Sequence, residues 1–288
     1  MSKKNGFSVW LLKSLNRLFP QIVHPFNLQN RGEQTYAQWQ FEKGADTIAC
    51  YTERFSPEEM FRGKAVLDMG CGASGKSLYY LSIGAKSVTG VDVVEHYKTE
   101  AEAFADSLGY RDRFHFVLGD AVRLPFDDNS FDTVTMKDFI EHVSNPEGAL
   151  RESLRILKPG GRAFINFPPY YHPTGAHMSD VIGIPWVHLF FSEGTLIAAY
   201  KDLIRGLPDE EDRISLRIHI DENREESLGY INKMTLGRFH RILGVLHITP
   251  FWYKEIPLRG FLKPLARFPL TKEMFVKMGV CVIEKPKA

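Results

Sequence analysis

The chain has 288 residues, enough for one large α/β domain with a cap or for two small domains. Hydrophobic residues make up 44% and charged residues 25%, as in an ordinary soluble globular protein. The net charge of +1 excludes a global basic field, so we expect no nucleic-acid partner. The three cysteines, Cys50, Cys71 and Cys281, fit no disulfide or zinc spacing and favour the cytoplasm.

The first 55 residues are predicted to form an N-terminal helical segment. A helix over residues 7–23 is expected because apolar residues recur at spacings of three and four: Phe7, Trp10, Leu11, Leu15, Leu18 and Ile22. This helix either packs on the main domain, where it can close a substrate pocket, or contacts a membrane surface through its basic flank. A second helix is expected over 35–54, and another begins after Ser56, with Pro57 at its first position.

Strands and helices are predicted to alternate through residues 56–169. The apolar runs predict strands over 65–69, 87–92, 114–118, 132–136 and 162–167, with helices over 76–83, 95–108 and 146–157. A turn at 158–161 is expected to separate the last helix from the last strand. This alternation is typical of an α/β protein whose parallel sheet is covered by helices on both faces.

The remainder of the chain departs from this regular order. Residues 170–245 are predicted to be an inserted cap or substrate region after the fifth strand, where open α/β sheets hold ligands. Residues 246–288 are predicted to supply two more strands, near 247–256 and 276–284, that complete the sheet. The expected fold is therefore a Rossmann-like, mostly parallel seven-stranded sheet with N-terminal helices and an insertion.

A glycine-rich loop after the first strand has two interpretations. Gly70 to Ser77 matches the P-loop pattern G-x-x-x-x-G-K-S, which would indicate a nucleotide hydrolase or kinase. The alternative begins at Asp68 and reads D-x-G-x-G, where a carboxylate suits a cationic ligand group and would repel phosphates. Asp92 and Asp120 end the next two strands, where they can bind a ribose and an adenine amino group. We favour the second interpretation.

Five segments, in order over about residues 60–168, resemble the motifs of class I S-adenosylmethionine (SAM)-dependent methyltransferases. The set is most similar to the branch that includes ubiquinone and menaquinone biosynthesis methyltransferases. The matching segments are 66–72, 88–92, 119–126, 131–134 with 141–143, and 157–161. The resemblance implies SAM as the cofactor. Segments 1–55 and 170–245 are rich in aromatic and aliphatic residues, which favours a methyl acceptor that is a small, apolar or aromatic molecule.

The resemblance also implies which residues contact the cofactor. Gly70 and Gly72 would lie under the methionine part of SAM, Asp68 would reach its amino group, Asp92 would hold the ribose and Asp120 the adenine. Further cofactor contacts are predicted for Val93, Ala121 and Lys137. The chain departs from the family at Ser74, where a third glycine is usual, and Gly75 follows it.

Candidate catalytic residues follow the fourth and fifth strands. Methyl transfer depends on positioning and desolvation, and a base is needed only where the nucleophile must lose a proton. The candidates are His177, His172, Tyr171 and His142. Two other interpretations stay open: a lid whose histidines bond to the backbone, and a metal site. That metal site would use His172, His177, Asp180 and His188, but their spacing matches no standard ligand pattern, so we predict no metal.

Arg213 and Arg217 lie four residues apart and can share one helix face. They either bind an acidic substrate group or pair with the acids of 209–212, and we favour the pairing. A third functional hypothesis, beside the methyltransferase and the P-loop enzyme, is a non-catalytic protein of the SAM-binding fold.

Overall fold

The computed structural model describes residues 3–20 and 24–287. Ile22 of the predicted N-terminal helix lies outside the described residues. Two compact units divide the chain. The sheet unit comprises Thr35–Phe167, Leu236–Ile256 and Met278–Ala288, and the helical unit comprises Met1–Gln34, Pro168–Thr235 and Pro257–Lys277. No helix within the described ranges is long and apolar enough to cross a membrane.

The helices are numbered in chain order. They are α1 (Lys3–Asn16), α2 (Pro25–Asn30), α3 (Tyr36–Glu42), α4 (Gly44–Ile48), α5 (Pro57–Phe61), α6 (Gly75–Ser82), α7 (His96–Ser107), α8 (Pro146–Ile156), α9 (Val187–Phe190), α10 (Glu193–Ile204), α11 (Glu210–Arg217), α12 (Leu236–Val245), α13 (Lys263–Arg267) and α14 (Lys272–Phe275). A 3₁₀ turn covers Gly260–Leu262.

The strands are β1 (Ala65–Met69), β2 (Ser87–Asp92), β3 (Phe114–Leu118), β4 (Phe131–Lys137), β5 (Leu157–Phe167), β6 (Ile218–Ile220), β7 (Glu226–Leu228), β8 (Trp252–Pro257) and β9 (Val276–Glu284). The sheet unit holds a seven-stranded sheet of order β3-β2-β1-β4-β5-β9-β8. The first five strands in this order pair in parallel, and β9 runs antiparallel to β5. The prediction of a mostly parallel seven-stranded sheet is confirmed.

The central strands are buried, as expected for a parallel sheet covered on both faces. In β1 the four residues after Ala65 are buried, and in β4 all residues but Asp132 are buried. From β1 the chain passes through α6 to β2 and through α7 to β3, toward one side of the sheet. From β4 it passes through α8 to β5, toward the opposite side. Because such crossovers are right-handed, α6 and α7 cover one face and α8 covers the other. The ends of β1, β2, β3 and β4 then share one edge of the sheet.

Strand β5 begins five residues earlier than predicted. Its first residue, Leu157, pairs with Phe131, and Arg162 pairs with Thr133, so the register shifts between them. Gly160 lies within this irregularity at a φ of +79°, which glycine adopts without steric cost. The expected turn at 158–161 is therefore a distortion inside the strand, and β8 begins at Trp252, later than predicted.

The compact units do not follow the predicted domain boundaries. Residues 35–55 belong to the sheet unit, and residues 257–277 belong to the helical unit with most of 170–245. The division into 1–55, 56–169, 170–245 and 246–288 stays a prediction.

Helix α1 confirms the N-terminal helix but ends at Asn16. It packs through Val9 and Leu12 into the core of the helical unit, beside Leu196 and Tyr200 of α10. Phe7 and Trp10, which the spacing placed on the apolar face, are instead exposed and lie side by side.

Candidate functional site

The loop between β1 and α6 has the backbone of a close-approach ligand loop. Gly70 and Gly72 have φ values of +71° and +55°, a conformation that favours glycine. A Cβ added at Gly70 would lie 2.3 Å from a ring carbon of Phe139. Ser74 has a φ of +63° and is fully buried. It thus adopts the left-handed conformation that favours the family's usual glycine, at a cost of about 1–2 kcal/mol.

Asp92 joins the glycine loop to the end of β2. Its carboxylate accepts the Gly72 N–H at 2.8 Å and the Val94 N–H at 3.0 Å. The side chain is only partly buried, so its remaining lone pairs can accept further hydrogen bonds from a ligand. Asp92 therefore lies where the ribose contact was predicted.

Asp68 is used differently from the prediction. Its side chain is fully buried, and its two oxygens accept hydrogen bonds from the hydroxyls of Ser77 and Thr135, both at 2.7 Å. The carboxylate thus braces β1 against β4 and α6, and it has no exposed surface for a ligand amino group. The predicted contact between the Asp68 side chain and the amino group of the cofactor stays a prediction.

The same hydrogen bonds bear on the P-loop interpretation. In a P-loop the lysine reaches phosphates and the following hydroxyl binds Mg²⁺. Here Ser77 donates to Asp68, and the buried Lys76 ammonium contacts the Lys137 carbonyl at 3.4 Å. Burial opposes the charge on Lys76, but Asp68 and Tyr36 outweigh it and raise its pKa. The residues that would serve a P-loop are therefore engaged within the fold.

Helix α3 lies over the glycine loop, which the sequence did not predict. The Gln40 amide oxygen accepts the Gly75 N–H at 3.0 Å, and a Cβ added at Gly72 would lie 3.5 Å from the Tyr36 ring. Burial raises the pKa of Tyr36, so its hydroxyl stays protonated. A Cβ at Gly75 would lie 1.9 Å from the Ala37 carbonyl oxygen, and glycine is therefore required for α3 to approach α6. Packing between α3 and α6 thus explains why a glycine, Gly75, follows Ser74.

Apolar side chains flank the predicted adenine position. Val93, after β2, is 70% exposed, and Leu118, at the end of β3, is 49% exposed. Ala121 is buried, and Asp120 is exposed with one oxygen accepting the Val122 N–H at 3.0 Å. Exposed aliphatic side chains beside a free carboxylate oxygen suit a flat heterocycle with an amino group. The predicted residues Val93, Asp120 and Ala121 are thus brought to one sheet edge, together with Leu118.

The Lys137 side chain contacts helix α4 and the residues that follow it. Its ammonium donates to the Thr47 carbonyl at 2.7 Å and lies 3.6 Å from the centroid of the Tyr51 ring. Burial lowers the pKa of Lys137 to about 8, against the attraction of Cys50 and Asp138. The cofactor contact of this residue stays a prediction.

The turn after β4 carries two acids, Asp138 and Glu141. Asp138, with a φ of +50°, accepts a hydrogen bond from Asn166 at 3.1 Å. Glu141 is buried, and burial together with Asp138 raises its pKa well above the usual range. Burial thus favours the neutral form of the Glu141 carboxyl. The predicted candidate His142 follows directly and is exposed, and its main-chain N–H donates to the Phe139 carbonyl.

In the helical unit, His172 accepts a hydrogen bond through one of its ring nitrogens. Its Nδ1 accepts the Thr174 N–H at 3.3 Å, so the proton of the neutral ring is on Nε2. Burial, reinforced by Lys277, lowers its pKa to about 4. The buried Nε2 has no hydrogen-bond partner among the described residues. A protonated Nε2 cannot remove a proton, so this geometry does not support the predicted base role of His172.

The other predicted residues of this segment are separately placed. Tyr171 is exposed, and His177 has a φ of +52° with its carbonyl accepting from Arg217. His188 packs on the Tyr170 ring at 4.8 Å, and burial lowers its pKa against the opposing effect of the Tyr170 carbonyl. Catalytic roles for Tyr171, His177 and His142 stay predictions.

The preferred interpretation is confirmed for Arg213, which pairs with an acid of 209–212, whereas Arg217 lies beside the more distant Asp180. Arg213 pairs with Asp209 and with Asp180, both at 2.8 Å, and Arg217 lies 3.2 Å from Asp180. Tyr200 also donates to Asp180 at 2.9 Å. Asp180 is fully buried and shared by two guanidinium groups, so the alternative metal site that included Asp180 does not form.

Comparisons with known proteins match the central part of the sheet unit. Residues 67–165 match the family described as a methyltransferase domain. The chain is 38% identical to a sterol 24-C-methyltransferase from Gibberella zeae over 99 residues, which are 34% of this chain and 26% of that protein. It is 36% identical to a ubiquinone/menaquinone biosynthesis C-methyltransferase from Roseobacter denitrificans over 104 residues, 36% of this chain and 42% of that one. The chain thus spans less than half of each relative.

Solved structures with this fold match most of the chain. The PH0226 protein from Pyrococcus horikoshii aligns with a TM-score of 0.52 at 20% identity, covering 86% of this chain and 91% of that one. A putative sarcosine dimethylglycine methyltransferase from Galdieria sulphuraria aligns with a TM-score of 0.53 at 14% identity, covering 91% and 97%. At these identities the likeness concerns the fold. Together with the matched family and the ordered motifs, it identifies residues 67–165 as a class I SAM-dependent methyltransferase domain.

Proposed function

We propose that the protein transfers a methyl group from SAM to a small, apolar or aromatic molecule. The observation that carries the proposal is a set of groups that lie together at one edge of the sheet. They are the glycine loop with its positive φ values, the partly buried carboxylate of Asp92, the exposed side chains of Val93 and Leu118, and the carboxylate of Asp120. This set combines close backbone approach, a ribose acceptor and an apolar adenine surface.

The sheet-edge residues fit the cofactor and divide its parts among them. Asp92 would accept from the ribose hydroxyls while it holds the Gly72 N–H. Asp120 would accept from the adenine amino group between Leu118 and Ala121. The methionine part would lie at the Gly70–Gly72 backbone under Tyr36, and the buried Lys76 ammonium adds a positive charge near it.

When bound, SAM supplies a methyl group on a positively charged sulfur; the acceptor forms a bond to the methyl carbon as the carbon–sulfur bond breaks, and sulfur keeps that electron pair. The protein's own contribution is to position the two reactants and exclude water. Removal of a proton from the acceptor is needed only for some nucleophiles. His177 is the histidine to which we assign that role, since Nδ1 of His172 already accepts the Thr174 N–H.

The acceptor class rests on the relatives and on the composition of the chain. The relatives include enzymes named for sterol and quinone methylation, and residues 186–200 are rich in aromatic and aliphatic side chains. We further propose that the protein acts in the cytoplasm, does not bind nucleic acid, and reaches apolar acceptors at a membrane surface, with α1 as one contact.

Label transfer from SAM carrying a radioactive methyl group to an organic-solvent extract of lipids and small molecules tests this proposal. The wild-type protein should label an extractable product. Asp92→Asn should lower the labelling about tenfold or more, because it weakens charge-assisted hydrogen bonds to the ribose. The matched control is Asp112→Asn, an exposed acid beyond α7, which should leave labelling unchanged. Label confined to protein or nucleic acid would contradict the acceptor class.

A further inference from the structure

An exposed segment between β8 and β9 combines apolar and basic side chains. We call residues 259–270 the docking segment; all are exposed except the half-buried Leu262 and the buried Ala266. Its large apolar side chains include Phe261 at 80%, Phe268 at 54% and Leu270 at 85% exposure. A monomeric protein rarely exposes so many large apolar side chains together without a binding role.

The segment is ordered by its own hydrogen bonds. At its base the Leu258 N–H bonds to the Phe275 carbonyl at 2.8 Å. At its tip the Thr271 hydroxyl donates to the Leu265 carbonyl at 2.7 Å, and the Phe268 N–H bonds to the Pro264 carbonyl. The apolar side chains therefore stand on defined helical turns, so little further ordering is needed when they meet a partner.

Apolar and basic side chains are interspersed along the docking segment. Phe261 lies in the 3₁₀ turn, α13 follows over Lys263–Arg267, and Phe268 comes directly after it. The basic residues Arg259, Lys263 and Arg267 are exposed, as are Phe261 and Phe268. A surface element that exposes both large apolar and basic side chains is typical of one that lies in a membrane interface.

The local charge selects among possible partners. Residues 256–272 hold four basic residues and no acid: Arg259, Lys263, Arg267 and Lys272. The net charge of the whole chain is only +1, so this positive charge is local. Each such residue near an anionic bilayer adds roughly fivefold to the affinity. A neutral, apolar partner would gain no affinity from this positive charge.

We propose that the docking segment binds the surface of an anionic lipid bilayer, with Phe261, Phe268 and Leu270 entering the boundary between headgroups and acyl chains. The exposed Phe7 and Trp10 of α1 belong to the same helical unit and form a smaller apolar pair. The proposal rests on exposure and charge alone and stands whether or not the protein transfers methyl groups.

Co-sedimentation with vesicles tests it on the full chain. Vesicles of equal parts phosphatidylcholine and phosphatidylglycerol should pellet the protein, and vesicles of phosphatidylcholine alone or a high salt concentration should weaken the binding. The double variant F261S/F268S should bind about tenfold or more weakly, since it removes two large apolar side chains from the interface. R259Q/K263Q should weaken binding to the anionic vesicles only.

Matched variants separate this surface from others. Ile220→Ser removes an exposed apolar side chain from β6 of the same unit and should bind as the wild type does. Binding that is lost in W10S but kept in F261S/F268S would overturn the proposal in favour of α1. Absence of vesicle binding would also overturn it, as would a dimer that F261S/F268S dissociates. Retained SAM affinity in the variants would report an intact fold independently of lipid binding.

Discussion

Asp180→Asn should strongly destabilise the helical unit. In the wild type this fully buried carboxylate lies 2.8 Å from Arg213 and 3.2 Å from Arg217, whose side chains are 1% and 7% exposed. The variant leaves two buried guanidinium groups without the carboxylate that they share. Of the ion pairs that these two groups form with the described residues, only that between Arg213 and Asp209 remains. Removing one partner of a buried ion pair costs about 3–5 kcal/mol, because a buried charge loses its compensation.

Thermal and urea-induced unfolding measure this effect. A loss of that size should lower the Tm by roughly 10 °C in a protein of 288 residues. The control is Asp202→Asn, which removes surface pairs with Lys13 and Arg205 and should cost less than about 1 kcal/mol. If Asp180→Asn were no more destabilising than Asp202→Asn, the structural role of the cluster would be refuted. Arg213 and Arg217 would then again be candidates for binding an acidic substrate.

Three further outcomes are expected. Gly70→Ala should weaken SAM binding at least tenfold, because the added Cβ would collide with the Phe139 ring. The control is Gly109→Ala, which has the same φ of +71° but lies in open space and should leave the affinity unchanged. Equal SAM affinities of the two variants would contradict the loop geometry. Gln40→Leu should cost about 1–3 kcal/mol of unfolding free energy, since it leaves the Gly75 N–H buried and unbonded; urea unfolding measures this, and an unchanged midpoint would speak against it. His172 takes up its proton only near pH 4 when folded, against 6.5 when unfolded, so stability should fall by roughly 3 kcal/mol as the pH drops from 6.5 to 4. His172→Gln should reduce that fall, and the exposed His219→Gln should not; the same slope in both would contradict the burial argument.

The sheet was predictable from the sequence because its strands are buried on both faces. Such strands appear as short apolar runs, as in 65–69 and 114–118, and the glycine loop marks where the first of them ends. The start of β5 was missed because Pro159, Gly160 and Gly161 are typical of a turn, whereas pairing of Leu157 with Phe131 extends the strand across them. The local sequence around Leu157 does not indicate that it pairs with a strand distant along the chain.

The site was predictable where it depends on backbone conformation and on strand ends. Asp92 lies as the motif implied, but Asp68 is taken up by the hydroxyl of Thr135, 67 residues away. Likewise the pair Arg213–Asp209 follows from helical spacing, whereas Asp180 joins them only through tertiary packing. Helix α3 was predicted as a helix, yet nothing in its sequence indicated that Gln40 would hold the glycine loop.

Calorimetric titration with SAM, its demethylated product, and ATP with Mg²⁺ tests the central claim most directly. The account predicts micromolar binding of SAM and of the product, weakened about tenfold or more in Asp92→Asn and unchanged in Asp112→Asn. It predicts no binding of ATP, because Ser77 and Lys76 are engaged by Asp68 and the Lys137 carbonyl. Binding of ATP without binding of SAM would contradict the account and make Gly70–Ser77 a P-loop.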